Sequence, residues 1–272
     1  MQEYSILMSV YYKEKPDFLR ESMLSMANQT IKSNDFVLVC DGPLTKELDS
    51  TIQEMSIIFG DCLNVYRLDK NLGLGNALNY GLKKCKNEFV ARMDSDDISL
   101  PNRIEKQFNL LKKHPELSII SGTVNEFVEN PNIISGVRRL PNTHEEIIKF
   151  SKSRNPFNHP AILFKKSAVH AVGGYSERFP LLEDYYLWIR MLMDGQVGAN
   201  IQDPIVLMRV PTDLYLRRGG FKYAKNFLDI NLWMLKKGWI GFAKIFTSVI
   251  PHMIVCILPN KLREVIYKLI HR

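Results

Sequence analysis

Residues 89–97 read Phe89-Val90-Ala91-Arg92-Met93-Asp94-Ser95-Asp96-Asp97. The run from Phe89 to Met93 has the length and apolarity of a buried strand, and acidic residues stop it. Three carboxylates within four positions repel one another. Such a cluster is tolerated best beside a cation, and oxygen donors suit Mg²⁺ or Mn²⁺, held by one or two carboxylates plus a substrate phosphate. The competing reading is a solvated acidic turn at the start of the next helix, where Asp is favoured.

The flanking sequence places this strand in a series. Ile6 to Tyr11, Phe36 to Cys40 and Leu63 to Leu68 are further short apolar runs. Between them apolar residues recur at helical spacing: Phe18, Leu19, Met23, Met26 and Ala27, then Leu44, Leu48, Ile52, Met55 and Ile58, then Leu74, Leu78, Gly81 and Leu82. Ile104, Phe108 and Leu111 add a fourth helix after Pro101. Strand and helix alternate to about residue 115, the order of an α/β fold with a mostly parallel sheet. Unbroken apolar runs suit parallel strands buried on both faces. Ligands in such sheets bind beyond the carboxyl ends of the strands, where both Asp41 and the Asp94 cluster stand.

From 115 to 210 the alternation weakens. Ser118 to Phe127 reads as a strand, Pro156 to Phe164 as a loop and strand, and Leu181 to Met193 as a helix opened by Glu183-Asp184. Phe221 to Lys237 is amphipathic, and residues 245–258 are strongly apolar but broken by Pro251 and His252. A membrane span takes about 20 apolar residues, so this stretch reads either as helices lying in a membrane interface or as a helix docked on the core.

The 272 residues suffice for one large domain or two small ones, and 46% hydrophobic with 24% charged residues exclude a disordered or collagen-like chain. The net charge of +7 is unevenly placed: residues 217–272 carry 11 Lys+Arg against 2 Asp+Glu, residues 1–216 carry 25 against 27. A basic tail on a near-neutral body points to an anionic partner surface. Cys40, Cys62, Cys85 and Cys256 form no CxxC pair. With no export signal in the first residues, free thiols are expected in a reducing cytosol.

Several pieces, in order, resemble glycosyltransferase family 2, over roughly residues 4–215. Asp94-Ser95-Asp96 resembles the DxD motif of nucleotide-sugar-dependent enzymes. Ser5 to Tyr11, including Ser9, resembles the opening strand, whose final Tyr lies near the nucleotide base. Phe36 to Gly42 resembles the second strand, whose acidic pair here reads Cys40-Asp41, so only Asp41 carries over. Asn71-Leu72-Gly73-Leu74-Gly75-Asn76-Ala77-Leu78-Asn79-Tyr80-Gly81 resembles an NxGxxxAxNxG helix. Glu183-Asp184-Tyr185-Tyr186-Leu187-Trp188-Ile189-Arg190 resembles the "ED" motif, whose Asp is the expected general base.

The resemblance implies a GT-A fold: a Rossmann-like, mostly parallel sheet with helices on both faces. A domain of 1–216 is expected, with a nucleotide-sugar half to about 115 and an acceptor half beyond it. Residues 217–272 form the basic, apolar helical tail. The implied activity is inverting, metal-dependent transfer of one sugar from a UDP-sugar to a lipid-linked saccharide, in surface polysaccharide assembly of bacterial type. The protein is expected at the cytoplasmic face of the cell membrane, held peripherally by 217–272. Asp94 and Asp96 would hold Mn²⁺ or Mg²⁺, and with Ser95 the ribose and diphosphate. Tyr11, Ser9 and Asp41 would meet the base, Asn71 and Asn76 the ribose or phosphates, and Arg217 and Arg218 the diphosphate. Asp184 would be the base, with Glu183 as the alternative, and His159 would lie on the acceptor side. Each has a structural alternative: an Asp-Gly-Pro turn for Asp41, a core aromatic for Tyr11, helix packing for Gly75 and Gly81, a helix-dipole contact for Asp184, an ion pair for Arg190. A missing QxxRW motif argues against a processive synthase. Two other classes stay open. A sugar-nucleotide nucleotidyltransferase would want a Gly-rich loop where Tyr12-Lys13-Glu14-Lys15 stands. A nucleic-acid-binding module would want basic residues spread over a docking face.

Overall fold

The computed structural model describes residues 3–210 and 220–258. Strands β1 (Tyr4–Val10), β2 (Asp35–Cys40), β3 (Leu63–Arg67) and β4 (Phe89–Asp94) alternate with helices α1 (Pro16–Ala27), α2 (Lys46–Phe59) and α3 (Leu74–Leu82). They pair in parallel in the order β3-β2-β1-β4. The winding direction reverses between β1 and β4, and that switch point opens the crevice of a doubly wound sheet.

Alternate residues of each strand face opposite layers. Tyr4, Ile6, Met8, Val10, Phe36 and Leu38 pack with Leu19 and Met23 of α1 and Leu48, Ile52 and Met55 of α2. Leu7, Val37 and Val39 pack the other way, on Ala77, Leu78 and Leu82 of α3. Both faces are covered, which is why these strands read as unbroken apolar runs. Ile58, counted in the α2 stripe from its spacing, is 53% exposed instead.

The second half extends the sheet. After α4 (Arg103–Lys113), β6 (Leu117–Phe127) carries the short strand β7 (Gly136–Arg138), and α5 (His144–Ser151) follows. Strand β8 (Leu163–Lys165) pairs antiparallel with both β4 and β6. Helices α6 (Lys166–Ala171) and α7 (Glu183–Met193) precede β9 (Val197–Arg209), which runs parallel to β6 and also holds the short β5 (Ile98–Ser99). The sequence pattern does not reveal β9. Its middle is polar, it contains Pro204, and its register with β6 shifts around Thr123 and Pro204. A proline with no N–H is accommodated at such an irregularity, but the period of two is lost.

Beyond residue 220, α8 (Phe221–Lys236) and α9 (Ile250–Ile257), joined through a π-helical turn Ile245–Val249, pack behind α7. Phe227, Ile230, Trp233, Met234, Ile240, Ile245 and Val249 share one apolar cluster with Leu182, Tyr185, Tyr186 and Ile189. One face of the tail is therefore docked on the core. Phe242, Phe246, Ile250, Ile254 and Ile257 form the other face and are exposed, Phe242 at 68%. Among the described residues no helix is long and apolar enough to cross a membrane. The expected boundary at 216/217 lies outside the described residues.

Gly81 sets the spacing between α3 and the sheet. A Cβ there would stand 2.5 Å from Leu7 Cδ1 and 2.7 Å from Val39 Cγ2. Gly81→Ala is expected to cost about 1–3 kcal/mol, the scale of core overpacking, read as a lower urea midpoint with an unchanged slope.

Candidate active site

The strand ends at the switch point are level. Ser9 pairs with Asp94 across β1 and β4, and Val10 with Cys40 across β1 and β2. Tyr11 and Asp41 therefore follow on adjacent strands, and the Asp41 N–H donates to Val10 O at 2.8 Å. Tyr11 is 39% exposed and meets Tyr12 edge to face, so it is not a core aromatic.

Asp41 is buried and organises the loop before α3. Its carboxylate accepts the N–H groups of Leu72 (2.7 Å) and Gly73 (3.0 Å), and its carbonyl accepts Asn71 Nδ2 at 3.2 Å. The turn alternative is thus realised in part, yet a carboxylate offers about four acceptor sites and, among the described residues, two are engaged. Gly42, at φ +89°, lets the two loops touch: a Cβ there would lie 2.7 Å from Asn71 N. Asn76 donates to Leu72 O (2.9 Å) and to Glu177.

The four residues after Met93 divide their work. Asp94 receives a two-pronged bond from Arg92, whose side chain is 1% exposed. Ser95 Oγ donates to Glu14 at 2.6 Å, and Ser22 Oγ donates to Asp94 O at 2.6 Å. Buried Asp97 accepts the Arg209 N–H at 2.7 Å, while Arg209 Nε donates to Asp96 O and its Nη2 to Glu21. The Asp96 side chain has no cationic partner among the described residues. Burial, then the Asp94 and Glu14 charges, push its carboxyl up to about 7. Burial and the neighbouring Asp96 and Asp94 raise Asp97 as well. An under-compensated oxygen donor is what a hard divalent cation neutralises, so the residues fit one. Among the described residues no group of three or more His, Cys, Asp or Glu side chains could by itself hold the ion.

The second acidic pair opens α7, directly after Leu181, which sits at φ +68° and is 61% exposed. Asp184 Oδ2 accepts Asn155 Nδ2 at 2.7 Å, and Oδ1 accepts the Tyr185 N–H at 2.7 Å. Glu183 is raised by burial and by Asp184 beside it. A Cβ on Gly75 would lie 3.6 Å from Tyr175 Cβ and 3.9 Å from Glu183 Cβ, so the start of α3 and the start of α7 adjoin.

Buried Tyr175 links the two acidic sets. Burial raises its pKa, Arg92 lowers it, and Asp184, Asp94 and Glu183 raise it further. Its hydroxyl meets His159 Nε2 at 2.9 Å, and Asn79 bonds both its N–H and its carbonyl at 2.8 Å. His159 also lies edge-on to Trp188, and burial together with Arg92 holds its pKa well below the usual range. It is a neutral member of this network. Arg190, read as an ion-pair partner, instead donates to Val172 O and Gly174 O and lies over the Tyr186 ring.

The fold thus gathers Ser9, Tyr11, Asp41, Asn71, Asn76, Asp94, Ser95, Asp96, His159, Glu183 and Asp184 at one end of the molecule. Arg217 and Arg218 lie outside the described residues. Sequence reasoning missed Arg92, Glu14, Asn155, Tyr175 and Arg209. Only Arg92 left a signal, a cation inside an apolar strand.

The chain is similar to known proteins in sequence and in fold. The sequence profile of Glycosyl transferase family 2 matches residues 5–172. The UDP-Gal:alpha-D-GlcNAc-diphosphoundecaprenol beta-1,3-galactosyltransferase of Escherichia coli is 37% identical over 99% of this chain and 97% of its own. The amylovoran biosynthesis glycosyltransferase AmsE of Erwinia amylovora is 35% identical over 97% of this chain and 98% of its own. The crystal structure of S. aureus TarS 1-349 in complex with UDP-GlcNAc superposes with a TM-score of 0.63 at 16% identity, covering 86% of this chain and 67% of that one. This chain spans 40% of the longer S. aureus TarS chain.

The raised Asp96 carboxyl has a consequence for stability. The folded state holds its proton more tightly than the unfolded chain does, so this contribution is complete below about pH 4 and lost as pH rises through about 7. Metal-free protein is expected to melt lower at pH 7.5 than at about pH 5. Asp96→Asn should reduce that difference without removing the part that raised Asp97 contributes, and, if Asp96 holds the ion, Mn²⁺ at pH 7.5 should restore the melting point of the unsubstituted protein only. Thermal melts in chelator and in Mn²⁺ read all three.

Proposed function

The chain belongs to glycosyl transferase family 2, and on that premise we propose inverting, metal-dependent transfer of one sugar from a UDP-sugar to a lipid-linked saccharide. The observation that carries this reading is the juxtaposition of two acidic sets with different partners. Asp94 and Asp96 stand at the end of β4, and Glu183 and Asp184 at the start of α7; Gly75 at the start of α3 adjoins both Glu183 and Tyr175, and the charges of both sets act on Tyr175. Family membership displaces the nucleotidyltransferase and nucleic-acid readings.

Tyr11 stacks on the uracil ring, and Asp41, with acceptor capacity to spare, takes the uracil N3–H. Ser9, Asn71 and Asn76 line the path of the ribose and phosphates. Asp96, with Asp94, would hold the divalent cation, Mn²⁺ or Mg²⁺. When bound, that ion supplies positive charge against the departing diphosphate. Arg217 and Arg218 are assigned to the same diphosphate on the strength of their sequence. Asp184 accepts the proton of the acceptor hydroxyl as its oxygen attacks the anomeric carbon. The new C–O bond forms as the bond to the diphosphate oxygen breaks on the opposite face, so the anomeric centre inverts. Glu183, raised by burial, is the second candidate for the proton. His159 supports the acceptor side through Tyr175.

The acceptor assignment draws on the E. coli relative, whose named substrate is a GlcNAc-diphospholipid, and on the tail. The exposed Phe242, Phe246, Ile250, Ile254 and Ile257 face sits in a segment with a large basic excess. Apolar burial at an interface and about 1 kcal/mol per basic residue near an anionic leaflet would hold the protein peripherally at the cytoplasmic face. Truncation is a poor probe of this role, because Ile240, Ile245 and Val249 also cover α7.

The function is tested by a donor screen with GlcNAc-diphosphoundecaprenol as acceptor. UDP-glucose, UDP-galactose, UDP-N-acetyl sugars and GDP-mannose are compared, with and without Mn²⁺. Turnover is expected for a UDP-sugar and should vanish in chelator; full activity in excess chelator overturns the metal role. Asp184→Asn is expected to lower kcat at least about 100-fold with donor affinity little changed, and if kcat survives the base is not Asp184. Paired Phe242→Ser and Phe246→Ser leave the docked face intact. They should release the protein from anionic liposomes in a sedimentation assay while preserving donor binding.

A further inference from the structure

We propose that Asn155 is the positioning residue of the base, an inference that rests on the reading of Asp184 above. Asn155 stands in the segment between α5 and the turn at 159–161, far from α7 in sequence. Its Nδ2 donates to Asp184 Oδ2 at 2.7 Å, while the Tyr185 N–H holds Asp184 Oδ1 at 2.7 Å. With a donor to each oxygen, these two bonds fix the plane of the carboxylate. The Asn155 amide is itself oriented, because its Oδ1 accepts the Phe157 N–H at 3.3 Å. That leaves Nδ2, which can only donate, facing the carboxylate.

The choice of amide matters chemically. A guanidinium or ammonium at this position would hold the carboxylate equally well but would lower its proton affinity by a full opposing charge. A neutral donor constrains direction at little cost in basicity.

The segment bearing Asn155 is anchored from two sides. Tyr185 of α7 donates its hydroxyl to Ser151 O at 2.6 Å. Trp239 Nε1 reaches Ser151 Oγ at 3.2 Å, and Lys244 Nζ reaches Ser153 Oγ at 2.6 Å. Asn155 is thus held in place by both α7 and the segment after α8.

The test is a double-mutant cycle of Asn155→Ala and Asp184→Asn, assayed with whichever UDP-sugar scores highest on GlcNAc-diphosphoundecaprenol. A hydrogen bond to a charged group in the reacting position corresponds to about a 10- to 100-fold fall in kcat. Asn155→Ala is expected to show that fall with the donor KM within about twofold. In the Asp184→Asn background the same change should have no further effect, because there is no base left to orient. Asn155→Ser, smaller but still polar, should show the same fall in kcat and covers the case in which the alanine variant does not fold. A fall of less than about threefold in a folded variant overturns the proposal. So does a fall that persists unchanged in the Asp184→Asn background, which marks a role in folding alone. Full kcat in Asp184→Asn alone overturns the assignment of the base and this inference with it.

Discussion

The site is organised around a buried cation. Arg92 lies in β4 beside the point where the sheet reverses its winding, and its guanidinium is almost wholly removed from water. Such burial is costly unless a counter-charge and hydrogen bonds are supplied in good geometry. Asp94 supplies both through a two-pronged bond. A second buried guanidinium, Arg103, donates to Arg92 O and Ile162 O, and its own pKa is lowered to about 9 by burial. Together the two arginines fasten β4 to the start of β8. The Arg92 charge also reaches His159, Tyr175 and Glu183.

This constraint explains how three acidic residues coexist at one strand end. Asp94 is neutralised by Arg92. Asp97 is buried and held by the Arg209 N–H. Asp96 has no salt-bridge partner among the described residues, and its carboxyl is raised. The motif is therefore one charge matched inside the protein, one buried against a backbone N–H, and one without a salt bridge among the described residues, which is the one assigned above to the cation. The sequence shows three equal carboxylates, and the inequality arises from their neighbours.

That contrast marks how far the sequence can be read. The first four strands and their helices follow from apolar runs and helical spacing, because both sheet faces are buried. Asp94, Asp96 and Asp184 are legible from position and motif. Their partners are not: Asn155 is 29 residues from Asp184 and Glu14 is 81 residues from Ser95. Strand β9 is hidden by its polar centre and Pro204. The second face of the tail is hidden for another reason. Apolar residues at helical spacing mark a face but do not say whether protein or lipid covers it.

In the structure the tail buries one face against α7 and leaves the other exposed. Ile245 and Val249 close the cluster behind α7, while Phe242, Phe246 and Ile254 remain exposed. Charge alone suggests a tail that governs location and leaves the chemistry to the body. The packing argues for a closer relation, because the same segment that exposes Phe242 and Phe246 also sends Trp239 and Lys244 to the serines next to Asn155. Contact of the outer face with a lipid surface would leave these inner bonds in place. The helix that carries Asp184 is thus held between the sheet on one side and the tail on the other. On the proposed reading, an enzyme built this way could meet a lipid-linked acceptor at a surface without loosening Asp184.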